Sequence, residues 1–179
     1  MRKYLWIIAA ALLIVSCGKK PAEQTAEGQE PATESQELTA NSQEPTANLF
    51  IDITGVTHEG VELSLSDLVG ETDYVLVDFW ASWCGPCRRF VPVLKEIYAS
   101  QPKGHLQILS CSVDQDVMAW RVALNEEQMP WPQIREDENH PCADKYNVQF
   151  IPHTVLIDRE GKIVGVNLEE PELEEILLN

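Results

Sequence analysis

Tyr74-Val75-Leu76-Val77-Asp78-Phe79-Trp80-Ala81-Ser82-Trp83-Cys84-Gly85-Pro86-Cys87 is the stretch on which the reading of this chain turns. Its first seven residues are an apolar run broken only by Asp78, the pattern of a strand buried on both faces of a parallel sheet. From Cys84 to Ser100 the period changes: Phe90, Val93, Leu94, Ile97 and Tyr98 recur at helical spacing. A helix therefore starts in the Cys84–Cys87 turn and packs on the sheet, and Pro92 is expected to kink it. Leu106 to Val113 reads as a second buried strand. A helical crossover between two such strands makes a right-handed unit with the strands parallel.

Working outward, Phe50 to Thr54 and Val61 to Leu65 alternate apolar and polar around Thr57-His58-Glu59-Gly60, which predicts an N-terminal hairpin. Val117, Trp120, Ala123 and Leu124 mark a second helix ended by Pro130-Trp131-Pro132, and a short helix follows from about Cys142 to Tyr146. Val155 to Asp158 and Ile163 to Val166 flank Arg159-Glu160-Gly161-Lys162, a second hairpin signal. Pro171 opens a last helix whose early Glu172, Glu174 and Glu175 suit its dipole. The order β, α, β, α, β, β, α implies an α/β sandwich with a mixed central sheet, the N-terminal hairpin, and helices on both faces. The 131 residues from Leu49 to Asn179 suffice for one core and not two.

Composition narrows the function classes. Against 29 Asp and Glu stand 13 Lys and Arg, a formal charge of −16, and the nine cations after residue 48 form no block longer than Arg88-Arg89. A surface this negative repels polyphosphate, so nucleic-acid binding is not expected. No apolar run reaches the roughly 18 residues of a spanning helix; the longest is the 12 from Tyr4 to Val15. Preceded by Arg2 and Lys3, that run fits the apolar core of a signal peptide. It ends in Ile14-Val15-Ser16-Cys17, which resembles a bacterial lipobox. The expected organisation is thus a lipoprotein signal peptide over 1–16, then the lipidated Cys17 and a disordered linker over 17–48, then the folded domain over 49–179. The linker contains no aromatic residue and only Leu38 as a large apolar one, too little to offset its ordering entropy. A secretory signal with an incidental cysteine is the other reading of the same segment.

With Cys17 assigned to the anchor, four cysteines remain: Cys84, Cys87, Cys111 and Cys142. Cys84 and Cys87 form C-x-x-C between a buried strand and a helix, the context in which that spacing reads as a redox pair. Cys84 falls at a helix N-terminus, where unpaired N–H groups favour a thiolate, so it is the expected nucleophile. Cys87, one turn further in, is set to attack the resulting mixed disulfide. No cofactor is needed. Zinc would require Cys111, Cys142, His140 and His153 to converge, and covalent haem requires a histidine where Arg88 stands, so no metal site is expected. Cys111 and Cys142 leave three readings open: two buried thiols, a second disulfide, or an auxiliary relay.

The segment from Asp78 to Cys87 resembles the active-site segment of thioredoxin, and the likeness extends to Pro92, to Ile151-Pro152 before a late strand, and to the Asp158–Gly161 turn. The start of the domain and the 38 residues from Asp114 to Ile151 resemble more narrowly the envelope TlpA/ResA-like branch, in lipoprotein form. The resemblance implies a thioredoxin-like fold over residues 49–179. It implies that Pro152 is the cis-proline facing the cysteines and that Ile151 pairs with substrate main chain. Gly85 and Pro86 complete the motif, Trp83 helps to bind partners, and Asp78 is the buried acid that takes a proton from Cys87. Two positions depart from the family pattern: Ser110 and Cys111 stand where thioredoxins often carry a lysine, and His153 replaces the usual threonine.

The function that follows is a lipid-anchored thiol-disulfide oxidoreductase on the extracytoplasmic side of a cell-envelope membrane. The Gly85-Pro86 dipeptide resembles reducing thioredoxins, which points to reduction of protein disulfides in the envelope or periplasm, with apocytochrome c among the candidate substrates. Regeneration would then need a transmembrane thiol-electron donor. The alternatives are a disulfide oxidant or isomerase, a peroxiredoxin-type peroxidase, and a non-catalytic binding module. Peroxiredoxins typically show P-x-x-x-T/S-x-x-C, and Val77 and Ala81 occupy those positions here; the intact C-x-x-C speaks against a mere binding module.

Overall fold

The computed structural model describes residues 48–178, so the expected signal peptide and all of the linker except Asn48 lie outside the described residues. Among the described residues seven strands form one mixed sheet, in the spatial order Glu62–Ser64, Thr54–Val56, Gln133–Arg135, Leu106–Ser112, Tyr74–Trp80, His153–Asp158 and Ile163–Val166. At its centre, β3 (Tyr74–Trp80) runs parallel to β4 (Leu106–Ser112) and antiparallel to β6 (His153–Asp158), and the apolar runs of these strands are covered on both faces. Alternate residues of β3 enter opposite layers. Val75, Val77 and Phe79 join Leu109, Cys111, Val155 and Ile157 on one face. Leu76 joins Leu94 and Ile97 of α1 (Gly85–Ser100) on the other, and Trp80 meets Cys84 and Cys87 at the end of that second layer.

Helices cover both faces unequally. On the Leu76 and Trp80 face lie α1, α2 (Val117–Glu127) through Trp120 and Ala123, and α4 (Glu170–Leu177) through Leu173 and Leu177. The opposite face is covered by α3 (Cys142–Lys145), by Phe50 and Ile53, and by Leu65 in a short 3-10 turn. Pro92 lies inside α1, which runs on through it. Its ring leaves the Arg88 carbonyl without a helical donor, an interruption one missing hydrogen bond long.

Two expectations are corrected. The N-terminal hairpin forms, but its strands are β1 (Thr54–Val56) and β2 (Glu62–Ser64), paired antiparallel from Thr54↔Ser64 to Val56↔Glu62. Phe50 and Ile53 are apolar because they are needed in the core, not because they belong to a strand: the Phe50 N–H donates to the Gly161 carbonyl and the Ile53 carbonyl accepts from the Leu65 N–H. The expected order also lacked β5 (Gln133–Arg135), three residues that pair parallel with β4 and join β1 through Val56↔Arg135. That junction explains Gly55: a Cβ there would lie 2.9 Å from the Ile134 Cβ, closer than packed carbons approach. At the other end of the sheet, β6 and β7 (Ile163–Val166) form the expected second hairpin, with Gly161 in the left-handed region at φ 84°.

Candidate active site

The site forms where β3 ends and α1 begins. Cys84 is the N-cap of α1 and Pro86 sits in the first turn, where its missing N–H costs nothing. The Cys84 Sγ accepts a hydrogen bond from the Cys87 N–H at 3.2 Å, so an orphan donor of the helix points at the sulfur. Cys84 and Cys87 are joined in a disulfide with S–S 2.04 Å and Cα–Cα 5.3 Å. Both are largely buried, Cys84 at 5% and Cys87 at 2% exposure, whereas Trp83 beside them is 69% exposed. Gly85 has room beside it, with only the Arg89 guanidinium within 3.5 Å of a would-be Cβ.

From the other side comes the segment entering β6. The Ile151–Pro152 bond is cis, and the Ile151 carbonyl oxygen lies 3.9 Å from the Cys84 Sγ. Once reduced, the Cys84 S–H faces that carbonyl as a weak donor. Phe150 is 65% exposed, so two aromatic rings, Trp83 and Phe150, precede the two segments that meet at the sulfur.

Asp78 is 3% exposed and lies on the face of β3 that carries Leu76 and Trp80, the face covered by α1. Burial pushes its pKa up to about 6, against the opposing hydrogen bond from Ser110. Ser110 Oγ donates to Asp78 Oδ2 at 2.9 Å and itself accepts from Trp131 Nε1 at 2.9 Å. A serine hydroxyl held by an indole thus stands where the family pattern suggested a lysine.

Cys111 and Cys142 are both free and buried, which among the open readings is that of two thiols. Cys111 lies with Phe79 on the sheet face opposite Cys84 and Cys87, and Cys142 donates to the Thr54 carbonyl at 3.2 Å. Burial pushes the Cys111 thiol well above its ordinary pKa, so it is a poor nucleophile. The other residues weighed as zinc ligands are used elsewhere: His140 Nδ1 lies 2.9 Å from Asp137, and His153 Nδ1 is 3.1 Å from Asn167. Among the described residues, no group of three or more His, Cys, Asp or Glu could hold a metal ion.

Sequence reasoning missed Asp114. Buried at the end of β4, its carboxylate accepts from the Ser82 N–H at 2.8 Å, the Ser82 hydroxyl at 2.6 Å and the Ser112 hydroxyl at 2.7 Å. It ties down Ser82, two residues before Cys84. The signal was weak: a polar Ser-Val-Asp run, Ser112 to Asp114, closing an otherwise apolar strand. Asp114→Ala orphans one buried donor, the Ser112 hydroxyl, at about 1–3 kcal/mol, and two half-buried ones on Ser82 at less, so a loss of about 2 kcal/mol in unfolding free energy is expected by urea titration with an unchanged m-value.

A helix-capping C-x-x-C at the end of a central strand, facing a cis-proline, defines a thioredoxin-fold dithiol-disulfide site. Residues 71–163 match the thioredoxin-like family. The chain is 28% identical over 118 residues to the thiol-disulfide oxidoreductase ResA of Bacillus thuringiensis (strain Al Hakam), covering 66% of this chain and 66% of that one. It is 32% identical over 126 residues to ResA of Geobacillus thermodenitrificans (strain NG80-2), covering 65% and 72%. Among solved structures, the thioredoxin domain of a thiol-disulfide oxidoreductase from Bacteroides vulgatus is similar with TM-score 0.65 and 32% identity, over 75% of this chain and 96% of that one. A thiol:disulfide interchange protein from Bacteroides sp. is similar with TM-score 0.65 and 30% identity, over 74% and 88%. The chain belongs to the thioredoxin-like family, in its TlpA/ResA-like branch of thiol-disulfide oxidoreductases.

Proposed function

We propose that the chain is a membrane-anchored thiol-disulfide oxidoreductase that reduces disulfides of envelope proteins on the extracytoplasmic side, apocytochrome c among the candidate substrates. The observation that carries this reading is the Cys84 Sγ, which receives the Cys87 N–H at the first turn of α1 and faces the Ile151 carbonyl across the cis-proline. A helix N-terminus stabilises negative charge on sulfur, so the reduced Cys84 is held toward its thiolate.

In the first step the Cys84 thiolate attacks one sulfur of a substrate disulfide; a mixed disulfide forms and the other substrate sulfur leaves as a thiolate that takes up a proton. In the second, Cys87 loses its proton to Asp78 and attacks the Cys84 sulfur, so the Cys84–Cys87 bond forms and the second substrate thiol departs. Two electrons have passed to the substrate. A transmembrane thiol donor returns them by the same exchange run backwards. Trp83, Gly85 and Pro86 line the approach, and Ile151 offers its main chain to an extended substrate segment.

Attachment rests on the N-terminal segment. Among the described residues no helix is long and apolar enough to cross a membrane. Cys17, following the apolar run, supplies the lipid site, and residues 18–48 supply a tether. Cys17→Ser is expected to move the protein from the membrane fraction to the soluble fraction of the envelope; unchanged partition removes the anchor from this reading. For the reaction itself, Cys87→Ser arrests the exchange after its first step. Non-reducing gels should then show envelope proteins linked to Cys84, and a trap that captures none argues against protein disulfides as substrates.

A further inference from the structure

Between the turn that joins β1 to β2, helix α2 and the loop leading from α2 into β5 lies a cleft of about 590 Å³, within the size range of small-molecule sites. None of Cys84, Cys87, Asp78, Ile151 or Pro152 lines it. Its shape follows from the sequence. Gln128 ends α2 in the left-handed region at φ 48°, and the chain returns through Met129-Pro130-Trp131-Pro132, where two prolines flank a buried indole. Trp131 donates its Nε1–H to Ser110 Oγ at 2.9 Å and meets the Tyr98 ring edge-on at 5.4 Å, so this wall is fixed from behind. Leu124 and Met129 add to the apolar lining.

Two polar side chains on the lining have capacity to spare. Arg121 donates from Nη2 to the His58 carbonyl at 3.0 Å. Among the described residues that is its one hydrogen bond, and it takes part in no ion pair, so most of its guanidinium N–H groups are uncommitted. Glu59, the one carboxylate on the lining, is taken by His58 Nε2 at 2.8 Å. Gln133 is the most buried polar residue of the cleft, at 8% exposure, and its Nε2 lies 3.6 Å from the Met129 Sδ. A thioether sulfur only accepts, which fixes the orientation of the amide and leaves Oε1 buried without a donor. Among the described residues it is the one buried side-chain acceptor in that condition, the other unpartnered atoms being the indole N–H groups of Trp80 and Trp120. Buried acceptors are normally satisfied, and the contact with sulfur is weak, so the amide turns at little cost to present Oε1 to a ligand.

We propose that this cleft binds a small organic acid that carries a carboxylate, an N–H or O–H donor close to it and an apolar group, the chemistry shared by an N-acylated amino acid and a peptide chain end. Arg121 takes the carboxylate through paired N–H groups, the donor completes Gln133 Oε1, and the apolar group lies on Leu124, Met129 and Trp131. A compound without the donor leaves the Gln133 acceptor unmade, and one without the carboxylate forfeits the charge-assisted bonds, so both are discriminated against. The site is independent of the reductase reading.

The test uses the full-length chain in detergent micelles, acetyl-leucine as probe and proton–nitrogen correlation spectra as readout. Saturable shifts are expected at the Trp131 indole and the Gln133 side-chain amide, and none at the Trp83 indole beside Cys84. Acetyl-leucinamide, which lacks the carboxylate, should bind about tenfold or more weakly, and so should acetyl-leucine to Arg121→Gln, a change at an exposed position of α2. Gln133→Leu should weaken acetyl-leucine about two- to tenfold, the worth of one neutral hydrogen bond, whereas isocaproate, which has no donor, should not distinguish that variant from the unaltered chain. Tighter binding of acetyl-glycyl-leucine than of acetyl-leucine assigns the cleft to peptide chain ends and weaker binding to free acids, and the proposal holds in both cases. No saturable shift at Trp131 and Gln133 with either acid, shifts centred on Trp83, or equal affinity in Arg121→Gln overturns it. Should Gln133→Leu not fold, Arg121→Gln and acetyl-leucinamide decide alone.

Discussion

A chain carrying Cys84→Ser is expected to reduce disulfides no faster than the uncatalysed thiol exchange. The thiolate is the attacking species, and a serine hydroxyl at the same helix N-cap does not ionise at neutral pH even with the Cys87 N–H directed at it. No other cysteine in the described domain substitutes: Cys87, freed of its partner, is buried at 2% exposure and out of reach of a substrate disulfide. Cys111 is buried on the opposite face with its pKa pushed well up, and Cys142 spends its S–H on the Thr54 carbonyl. The assay is the rate of peptide disulfide reduction at saturating external dithiol. Activity surviving in Cys84→Ser would move the chemistry away from this turn, whereas loss in Cys84→Ser together with trapped intermediates in Cys87→Ser orders the two sulfurs as nucleophile and resolver.

Asp78→Asn is expected to make the protein more stable and a slower catalyst. The folded-state pKa of about 6 stands above the 3.8 of an unperturbed aspartate, so the folded chain holds this proton more tightly than the unfolded chain. The contribution of this group to stability therefore falls as pH rises from about 4 to about 6 and stays lower above that. The difference, about 2 pKa units at 1.36 kcal/mol each, is about 3 kcal/mol at pH 7. Asparagine keeps an acceptor for the Ser110 hydroxyl and carries no charge, so the loss is removed. Chemical denaturation at pH 4 and pH 7 checks this: the stability gained by Asp78→Asn should be larger at pH 7 than at pH 4, a difference that the carboxylates held below their ordinary pKa, such as Asp73 and Asp137, leave unchanged because they act alike in both chains. Under the proposed mechanism, in which Asp78 takes the Cys87 proton, the resolving step should slow in the same variant, seen as a longer-lived mixed disulfide. A variant that is no more stable at pH 7 would show that Asp78 ionises without cost.

What was legible in the sequence divides along physical lines. β3, β4 and β6 were readable because strands covered on both faces need an unbroken apolar run, and α1 was readable because one face alone is buried. β5 was not. Three residues hold no periodicity, and Ile134 is in a strand because β4 and β1 offer it partners from 20 or more residues away in sequence. Phe50 and Ile53 misled in the opposite sense, since their alternation comes from lying across the Phe79 layer without a pairing partner. In the site, Cys84, Cys87 and Pro152 stand in short local motifs. Asp114 acts through its contact with Ser82, 32 residues away in sequence, and no local pattern marks such a pair.

The central claim is that this dithiol reduces. The most direct test is the equilibrium potential of the Cys84–Cys87 couple, titrated in the full-length chain against a defined thiol buffer while Cys111 and Cys142 are followed separately by mass. The account predicts a value near the roughly −270 mV of thioredoxin, and a value near the roughly −120 mV of a strong oxidant would contradict it and make the protein a disulfide donor.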